Sequence, residues 1–260
     1  MGTRVEKTLT LNNGIVMPTF GLGVWQMEEG SETEEAVTHA LKAGYRLIDT
    51  AKLYGNEASV GRAVRGSGIP REEIFVTTKL WPTDFLDPAG AFERSFKKLD
   101  LDYVDLYLIH WAAPYGMGKV WKAFEKLYEE TRVRAIGISN FGVHDMEKLL
   151  AKANVIPAVN QIKFNPFAYE KDILGYSAAQ GIAVEAYSPL SRGHHMNHPA
   201  IMRIASVHKK TPPQVMLRWA LQHGTIVIPK STHPARIEEN MHVYDFELSE
   251  EEMAELDRLS

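Results

Sequence analysis

Residues 106–110 read Leu-Tyr-Leu-Ile-His, an apolar run of strand length that ends in an ionisable side chain. Two upstream runs have the same form and end in Asp49 and Lys79, and Tyr54 follows Asp49 by five residues. A strand that is apolar throughout is buried on both faces, as in a parallel sheet. A polar residue at its carboxyl end then indicates function, because catalytic groups collect at that end of the strands in an α/β barrel.

Strand and helix patterns alternate along most of the chain. A short hairpin at residues 8–17, with Asn-Asn-Gly at its turn, comes first. Eight strand-like runs follow, the first near residues 20–23 and the last at 225–228, and helix patterns separate them. This order predicts an α/β protein with a (β/α)8 TIM barrel and an N-terminal β-hairpin, in which residues 1–260 form a single domain. An open doubly wound sheet is the alternative.

Two helix starts carry capping signals. Ser31 followed by Glu34 has the spacing of a capping box and predicts a helix that ends near Gly44. Asp87 before Pro88 predicts an N-cap followed by a proline in the first turn.

The composition narrows the class of protein. The chain has 260 residues, of which 45% are hydrophobic, and one barrel typically needs roughly 250. The formal net charge of −4 indicates neither a nucleic-acid partner nor an anionic membrane surface. There is no cysteine, and the first six residues lack the apolar core of a signal peptide. We therefore expect a soluble, cytoplasmic protein.

The four polar groups at or near the strand ends form a proton-handling set. Tyrosine has an ordinary pKa of about 10, and we expect the ammonium of Lys79 to lower the pKa of Tyr54. Asp49 can pair with Lys79 and orient it, while His110 can hydrogen-bond a substrate oxygen. A phenol beside an imidazole suits protonation of a carbonyl oxygen as it gains negative charge. None of these side chains can supply a hydride, so the set implies a cofactor.

The usual dinucleotide fingerprint is absent, because Gln26 stands where its third glycine would follow Gly21 and Gly23. We expect these glycines to serve close packing instead. Lys230, beside a serine at the end of the last strand, and Arg236 could hold a phosphate, since the loops after the last two barrel strands often do so. A solvated basic loop is the alternative.

Several motifs resemble those of the aldo-keto reductase family, and they occur in the same order. They are residues 49–57 (DTAKLYGNE), 78–81 (TKLW), 108–111 (LIHW), 137–141 (GISNF), 159–161 (VNQ) and 228–231 (IPKS). The resemblance covers nearly the whole chain and is greatest to small bacterial and protozoan members, such as 2,5-diketo-D-gluconate reductases and prostaglandin F synthases. It implies a barrel that binds NADPH or NADP+ across the carboxyl-end mouth and reduces aldehydes or ketones to alcohols.

The resemblance also implies roles for individual residues. Tyr54 would be the proton donor, supported by Asp49, Lys79 and His110. The implied cofactor contacts are Ser139, Asn140 and Gln161 at the carboxamide, Tyr187 with Ser188 and Leu190 at the nicotinamide ring, Lys230, Ser231 and Arg236 at the 2′-phosphate, and Glu239 and Asn240 at the adenine. Two cations around a phosphate argue for NADPH over NADH. The family tendency is a monomer that acts on a small-molecule carbonyl.

Three tryptophans lie near strand ends. Trp25, Trp81 and Trp111 could line an apolar substrate pocket, which would favour aromatic or aliphatic carbonyls over sugars; rim packing is the alternative. The histidine-rich residues 194–198 have no carboxylate or cysteine nearby in the sequence, so we expect a solvated loop there and no metal site.

The chain departs from the family pattern in places. After Gln161 the family often has a glutamate and then a histidine, where this chain has Lys163 and Asn165, and we expect changed local hydrogen bonding with the chemistry retained. The sequence stops at Ser260 without the tail that relatives fold over the pocket, which predicts a more open mouth and broader or weaker substrate selection. A truncated sequence is the alternative explanation.

Two other functions remain open on the sequence. The barrel could be a nicotinamide-sensing binding subunit without significant turnover, which the intact set of four polar residues disfavours. A metal-dependent barrel hydrolase is the second.

Overall fold

The N-terminal hairpin lies across one end of the molecule. The computed structural model describes residues 7–113 and 116–260. Strands β1 (Thr8–Thr10) and β2 (Val16–Pro18) pair antiparallel, which confirms the predicted hairpin. Two side-chain amides at its turn donate to the carbonyls of Pro157 and Arg134, at 2.9 and 3.0 Å. The hairpin therefore closes the end of the barrel at which the strands begin.

Eight parallel strands form the barrel, and each pairs with the next one along the chain. They are β3 (Leu22–Gly23), β4 (Leu47–Asp49), β5 (Phe75–Leu80), β6 (Val104–Ile109), β7 (Val133–Ser139), β8 (Val159–Lys163), β9 (Ala183–Tyr187) and β10 (Ile226–Val227). Phe20 pairs in parallel with Val227, and the amide of Gly21 donates to the Val227 carbonyl at 2.9 Å. These contacts join the first strand to the last. The predicted (β/α)8 barrel is confirmed, and the open doubly wound alternative is wrong.

Ten α-helices surround the barrel within the described residues. They are α1 (Ser31–Lys42), α2 (Glu57–Gly66), α3 (Pro88–Leu99), α4 (Met117–Glu129), α5 (Val143–Leu150), α6 (Lys171–Ala179), α7 (Pro199–His208), α8 (Pro212–Gln222), α9 (Pro234–Asn240) and α10 (Glu250–Asp257). Helix α7 was not predicted. It has a proline in its first turn and buries Ile201, Ile204 and Ala205 against the core.

The two capping predictions have different outcomes. Asp87 accepts a hydrogen bond from the Gly90 amide at 3.0 Å, as predicted. The prediction that Ser31 caps α1 is wrong, because the helix begins one residue earlier and Gly30 occupies the N-cap position. The chain before α1 is held instead by Thr33, whose hydroxyl donates to the Glu28 carbonyl at 2.6 Å.

The barrel interior is packed in its lower part and polar in its upper part. Alternate residues of parallel strands face inward, so Leu47, Phe75 and Leu108 join the hairpin side chains in one buried cluster. A Cβ on Gly21 would overlap the Leu47 side chain, and a Cβ on Gly23 would lie 2.9 Å from the Ile228 carbonyl oxygen. The two glycines therefore serve close packing, as expected. Above this apolar layer the strands end in polar side chains.

Candidate active site

The Lys79 ammonium lies at the centre of the predicted set. Its Nζ is 2.6 Å from Asp49 Oδ1, 2.9 Å from the Thr50 carbonyl oxygen and 3.2 Å from the Tyr54 hydroxyl. Lys79 is fully buried in strand β5, and Asp49 ends the neighbouring strand β4. Tyr54 ends the short 3₁₀ turn that follows β4. Residues that are 25 and 30 positions apart in sequence thus share one hydrogen-bonded cluster.

His110 completes the group of four. It directly follows β6, and its ring packs edge-on to that of Tyr54, with the ring centroids 5.7 Å apart. Its Nδ1 atom is buried and has no hydrogen-bond partner in the described protein. Burial, with a smaller contribution from the Lys79 ammonium, lowers the pKa of His110 to about 3. The imidazole is therefore neutral at physiological pH and can donate one N–H.

The expected lowering of the Tyr54 pKa is not observed. Burial raises the pKa of Tyr54 to about 12, although the Lys79 ammonium works against the rise. The sequence-based prediction counted the lysine and omitted the loss of solvation, and in the protein desolvation is the larger effect. Tyr54 therefore keeps its proton throughout the physiological pH range.

The contact between Asp49 and Lys79 favours the charged form of each residue. Burial raises the pKa of Asp49 above its ordinary value, while the attraction of the Lys79 ammonium and the Gln161 amide opposes that rise. Burial is the largest single influence and favours a neutral Lys79, yet the combined effect of the Asp49 charge and hydrogen bond, Tyr54 and Glu185 leaves the pKa of Lys79 above its ordinary value. The lysine is thus a fixed positive charge beside the phenol.

All but one of the predicted site residues line a single cavity of about 1060 Å³. Lys79 is the exception, since it lies beneath the cavity wall. The lining includes Asp49, Tyr54, His110, Ser139, Asn140, Gln161, Tyr187, Ser188, Leu190, Lys230, Ser231, Arg236, Glu239 and Asn240, together with Trp25, Trp81 and Trp111. The cavity opens at the carboxyl ends of the strands.

Hydrogen bonds within the protein already orient several of the predicted cofactor contacts. The Asn140 amide donates to the His110 carbonyl and the Ser139 hydroxyl, both at 3.0 Å, and accepts from the Tyr187 hydroxyl at 2.8 Å. Asn140 adopts a left-handed backbone conformation, with φ of 59°, which asparagine tolerates better than most residues. Since Oδ1 has a second lone pair, Asn140 can still accept one more hydrogen bond.

The cavity lining also contains two basic residues. Lys230 and Arg236 are exposed, and neither forms an ion pair or a side-chain hydrogen bond with any described residue. Glu239, on the same helix as Arg236, accepts a hydrogen bond from the Thr211 hydroxyl at 2.7 Å. Two free cations on one wall can meet a phosphate.

The three tryptophans lie on the apolar side of the cavity. Trp25 packs against Tyr54 with ring centroids 4.8 Å apart, and Trp81 packs against His110 at 5.0 Å. Trp25 and Trp111 remain 39% and 45% exposed, so their faces are available to a ligand.

The histidine-rich loop has an identifiable packing role. His195 stacks on Phe167 with ring centroids 3.8 Å apart, and His198 packs edge-on to the same phenyl ring. Across residues 7–113 and 116–260 there is no group of three or more His, Cys, Asp or Glu that could hold a metal ion. In the same residues no helix has both the length and the apolar character needed to span a bilayer.

A family profile decides the chain's relationship to known proteins. The profile described as the aldo/keto reductase family matches residues 19–260. The chain belongs to the aldo/keto reductase family. The resemblance inferred from the ordered motifs is thereby confirmed.

Relatives of this aldo/keto reductase include named enzymes and solved structures. It is 47% identical over 262 residues to a glyoxal reductase from Bacillus subtilis, which covers 100% of the chain and 95% of the relative. It is 46% identical over 257 residues to a 9,11-endoperoxide prostaglandin H2 reductase from Trypanosoma cruzi, with 97% and 91% covered. A crystal structure of an aldo/keto reductase from Brucella melitensis matches with a TM-score of 0.93 and 46% identity, covering 97% of this chain and 99% of that one.

Asn165, at one of the departures from the family pattern, forms two hydrogen bonds within the protein. In this reductase the Asn165 amide donates to the Ser188 carbonyl at 3.0 Å and accepts from the Phe167 backbone amide at 3.0 Å. Asn165 therefore ties the loop after β8 to the loop after β9, beside the cavity.

Sequence reasoning missed two charged residues of this reductase. Arg192 lines the cavity from the loop after β9, where it adopts a left-handed conformation with φ of 55°. Glu185 is fully buried in the middle of β9, and its Oε2 accepts from Gln161 Nε2 at 2.6 Å. A charged residue within the otherwise apolar run 182–187 was the signal that could have found Glu185.

Proposed function

We propose that this aldo/keto reductase reduces aldehydes or ketones with NADPH, and that Tyr54 is the general acid. The observation that carries the proposal is the Tyr54 hydroxyl, 3.2 Å from a buried ammonium and on the wall of the cavity. No other described tyrosine on that wall is hydrogen-bonded to a lysine.

The side chains of the cavity fit NADPH. Lys230 and Arg236 are unpaired cations that would meet the 2′-phosphate, and a bare hydroxyl would use them poorly. Asn140 and Gln161 would hold the carboxamide, with Tyr187 beside the nicotinamide ring. When bound, the cofactor supplies the hydride that no side chain can provide.

The proton step follows from the Tyr54–Lys79 contact. A phenol with a pKa of about 12 holds its proton at neutral pH and can give it to an alkoxide, which is the stronger base. The phenolate left behind lies next to the Lys79 ammonium, which stabilises it. Asp49 keeps that ammonium charged and oriented.

His110 would bind the carbonyl oxygen. Its neutral ring can donate one hydrogen bond without competing with Tyr54 for the proton. Trp25, Trp81 and Trp111 would contact the remainder of the substrate, which favours apolar carbonyl compounds. The proposal further includes a cytoplasmic monomer, which sedimentation and cell fractionation would test.

A carbonyl panel tests the proposed reaction. The purified protein is mixed with NADPH and, in turn, glyoxal, 4-nitrobenzaldehyde and an aldose, and the loss of NADPH absorbance is followed. We expect turnover of at least one carbonyl, with the aromatic aldehyde faster than the sugar. Binding of NADPH without turnover of any carbonyl would instead support a nicotinamide sensor.

Replacing Arg236 tests the cofactor preference. We expect Arg236→Ala to raise KM for NADPH by about tenfold or more, because a charge-assisted bond to phosphate is worth about 1.5–3 kcal/mol, and to change KM for NADH by less than about twofold. Arg258→Ala removes an exposed arginine outside the cavity and is the matched control. Equal losses for both cofactors would contradict the phosphate site.

A further inference from the structure

Glu185 is a buried acid inside the barrel that the proposed mechanism does not yet use. It lies in the middle of β9 and is paired in register with Gln161 on β8 and Ile226 on β10. It is fully buried, and its Oε1 has no hydrogen-bond partner among the described residues. A carboxyl group in such a place is costly unless its contacts compensate.

The contact of Glu185 is with the amide of Gln161. Gln161 Nε2 donates to Glu185 Oε2 at 2.6 Å and to Asp49 Oδ2 at 2.8 Å. A primary amide has two N–H donors, so both are used within the protein. If the Gln161 amide were turned over, its oxygen would face the carboxyl groups of both Asp49 and Glu185. The Asp49 carboxylate has no hydrogen to donate to that oxygen. The carbonyl oxygen of Gln161 is thus the group left to face the cavity that Gln161 lines.

The charges of this layer favour an uncharged Glu185. The titratable groups that face it are Asp49, Lys79 and Tyr54, and the strands on either side contribute only Gln161 and Ile226. Asp49 already pairs with the single ammonium at 2.6 Å. Burial raises the pKa of Glu185 to about 8, and the negative charge of Asp49 adds to the rise. At neutral pH the carboxyl is therefore mostly protonated, and the layer has no net charge.

We propose that Glu185 is a positioning residue of the reductase site, which holds the Gln161 amide so that its carbonyl oxygen can accept the N–H of the nicotinamide carboxamide. This assignment rests on the proposed function. Glu185 is not among the residues that line the cavity, and its influence passes through one hydrogen bond to Gln161. Loss of that bond would free one Gln161 hydrogen and let the amide turn about its contact with Asp49.

Two substitutions of Glu185 separate the effect of its hydrogen bond to Gln161 from the effects of its side-chain volume and charge. Glu185→Met has a similar length and no comparable acceptor, whereas Glu185→Gln is neutral and keeps a carbonyl oxygen for Gln161. Binding is measured by calorimetry at pH 7 with two probes: NADPH, and 2′-phospho-ADP-ribose, which lacks the nicotinamide. Glu125→Met, at a buried glutamate on α4 outside the cavity, is the matched control.

We expect Glu185→Met to raise the Kd for NADPH about threefold to tenfold, which is the range of one ordinary hydrogen bond. The Kd for 2′-phospho-ADP-ribose should stay within about twofold of its wild-type value. Glu185→Gln should restore most of the NADPH affinity. In a Gln161→Ala background the effect of Glu185→Met should disappear, because the group being positioned is gone. If the methionine variant does not fold, Glu185→Leu carries the same expectation.

Other results would overturn the assignment. An equal loss of affinity for NADPH and for 2′-phospho-ADP-ribose would indicate a general structural effect. Unchanged NADPH affinity in Glu185→Met would show that Glu185 does not position Gln161 for the cofactor. A Glu185→Gln variant as weak as Glu185→Met would also contradict it. Failure of the proposed function is distinguishable, because the wild-type protein would then not bind NADPH or would turn over no carbonyl.

Discussion

The ammonium of Lys79 has three hydrogens, and the protein supplies an acceptor for each of them. The carboxylate of Asp49, the Thr50 carbonyl and the Tyr54 hydroxyl lie between 2.6 and 3.2 Å from Nζ. A lysine side chain is normally mobile, and these bonds with complete burial hold it in one position. The positive charge beside the phenol is therefore preorganised, which is the condition for stabilising a phenolate without solvent rearrangement.

Glu185 makes stability depend on pH in a direction that can be worked out. Its pKa is about 8 in the folded protein against an ordinary value of 4.5, so the folded state binds this proton between those two pH values and the unfolded state does not. The contribution is fully present below the unfolded pKa and is lost as the pH rises through the folded pKa. We expect the stability of Glu185→Gln relative to wild type to increase from pH 5 to about 8, as urea unfolding would measure. A difference that stays constant over this range would contradict the raised pKa.

Sequence patterns predict which polar residues lie at the strand ends better than they predict how the pKa values of those residues shift. Asp49, Lys79 and His110 were found because an apolar run stops at or just before each of them. Glu185 also interrupts an apolar run, but a single charged residue inside a run is easily interpreted as the exposed position of an edge strand. The pKa of Tyr54 was expected to fall and instead rises, because the burial of its hydroxyl depends on residues that other strands bring next to it.

Helices α2 and α3 pack closely enough that one glycine is required between them. A Cβ on Gly61 would overlap the Leu99 carbonyl oxygen at the end of α3. In the same helix, Gly66 has nothing within 4 Å of an added Cβ. The two glycines share a helix and differ in their surroundings, so they form a matched pair.

We expect Gly61→Ala to destabilise the protein by about 1–3 kcal/mol, because the helices must separate or the backbone must shift. Gly66→Ala should be neutral or stabilising by up to about 1 kcal/mol, because it lowers the conformational entropy of the unfolded chain. Urea denaturation of both variants measures the difference. Equal effects of the two substitutions would show that α2 does not approach Leu99 as described.

Elements with a regular period were predictable, and elements defined by tertiary contacts were not. The eight strands were predicted because buried parallel strands are apolar and end in recognisable turns. Helix α7 was missed because it follows a loop with several left-handed residues, including Ser191 and Arg192, that resembles an irregular segment. The start of α1 was misplaced by one residue, since sequence alone does not determine which carbonyl accepts the first helical hydrogen bond.

At the scale of the whole molecule, barrel closure is what assembles the site. Gln161 Nε2 lies 2.8 Å from Asp49 although 112 residues separate them in sequence. The contact crosses the barrel interior and exists only because the first and last strands are joined. The fold class could be predicted from alternation, and the family motifs marked both residues, yet their direct hydrogen bond is visible only in the three-dimensional structure.

The most direct test of the account replaces the Tyr54 hydroxyl alone. We expect Tyr54→Phe to lower kcat for carbonyl reduction by about 10²-fold or more, the usual contribution of a general acid, while Kd for NADPH stays within about twofold. Tyr128→Phe, on α4 outside the cavity, is the matched control and should retain full turnover. The measurement is steady-state NADPH oxidation with NADPH binding followed in parallel. A Tyr54→Phe variant that retains turnover within about tenfold of wild type would contradict the assignment of Tyr54 as proton donor.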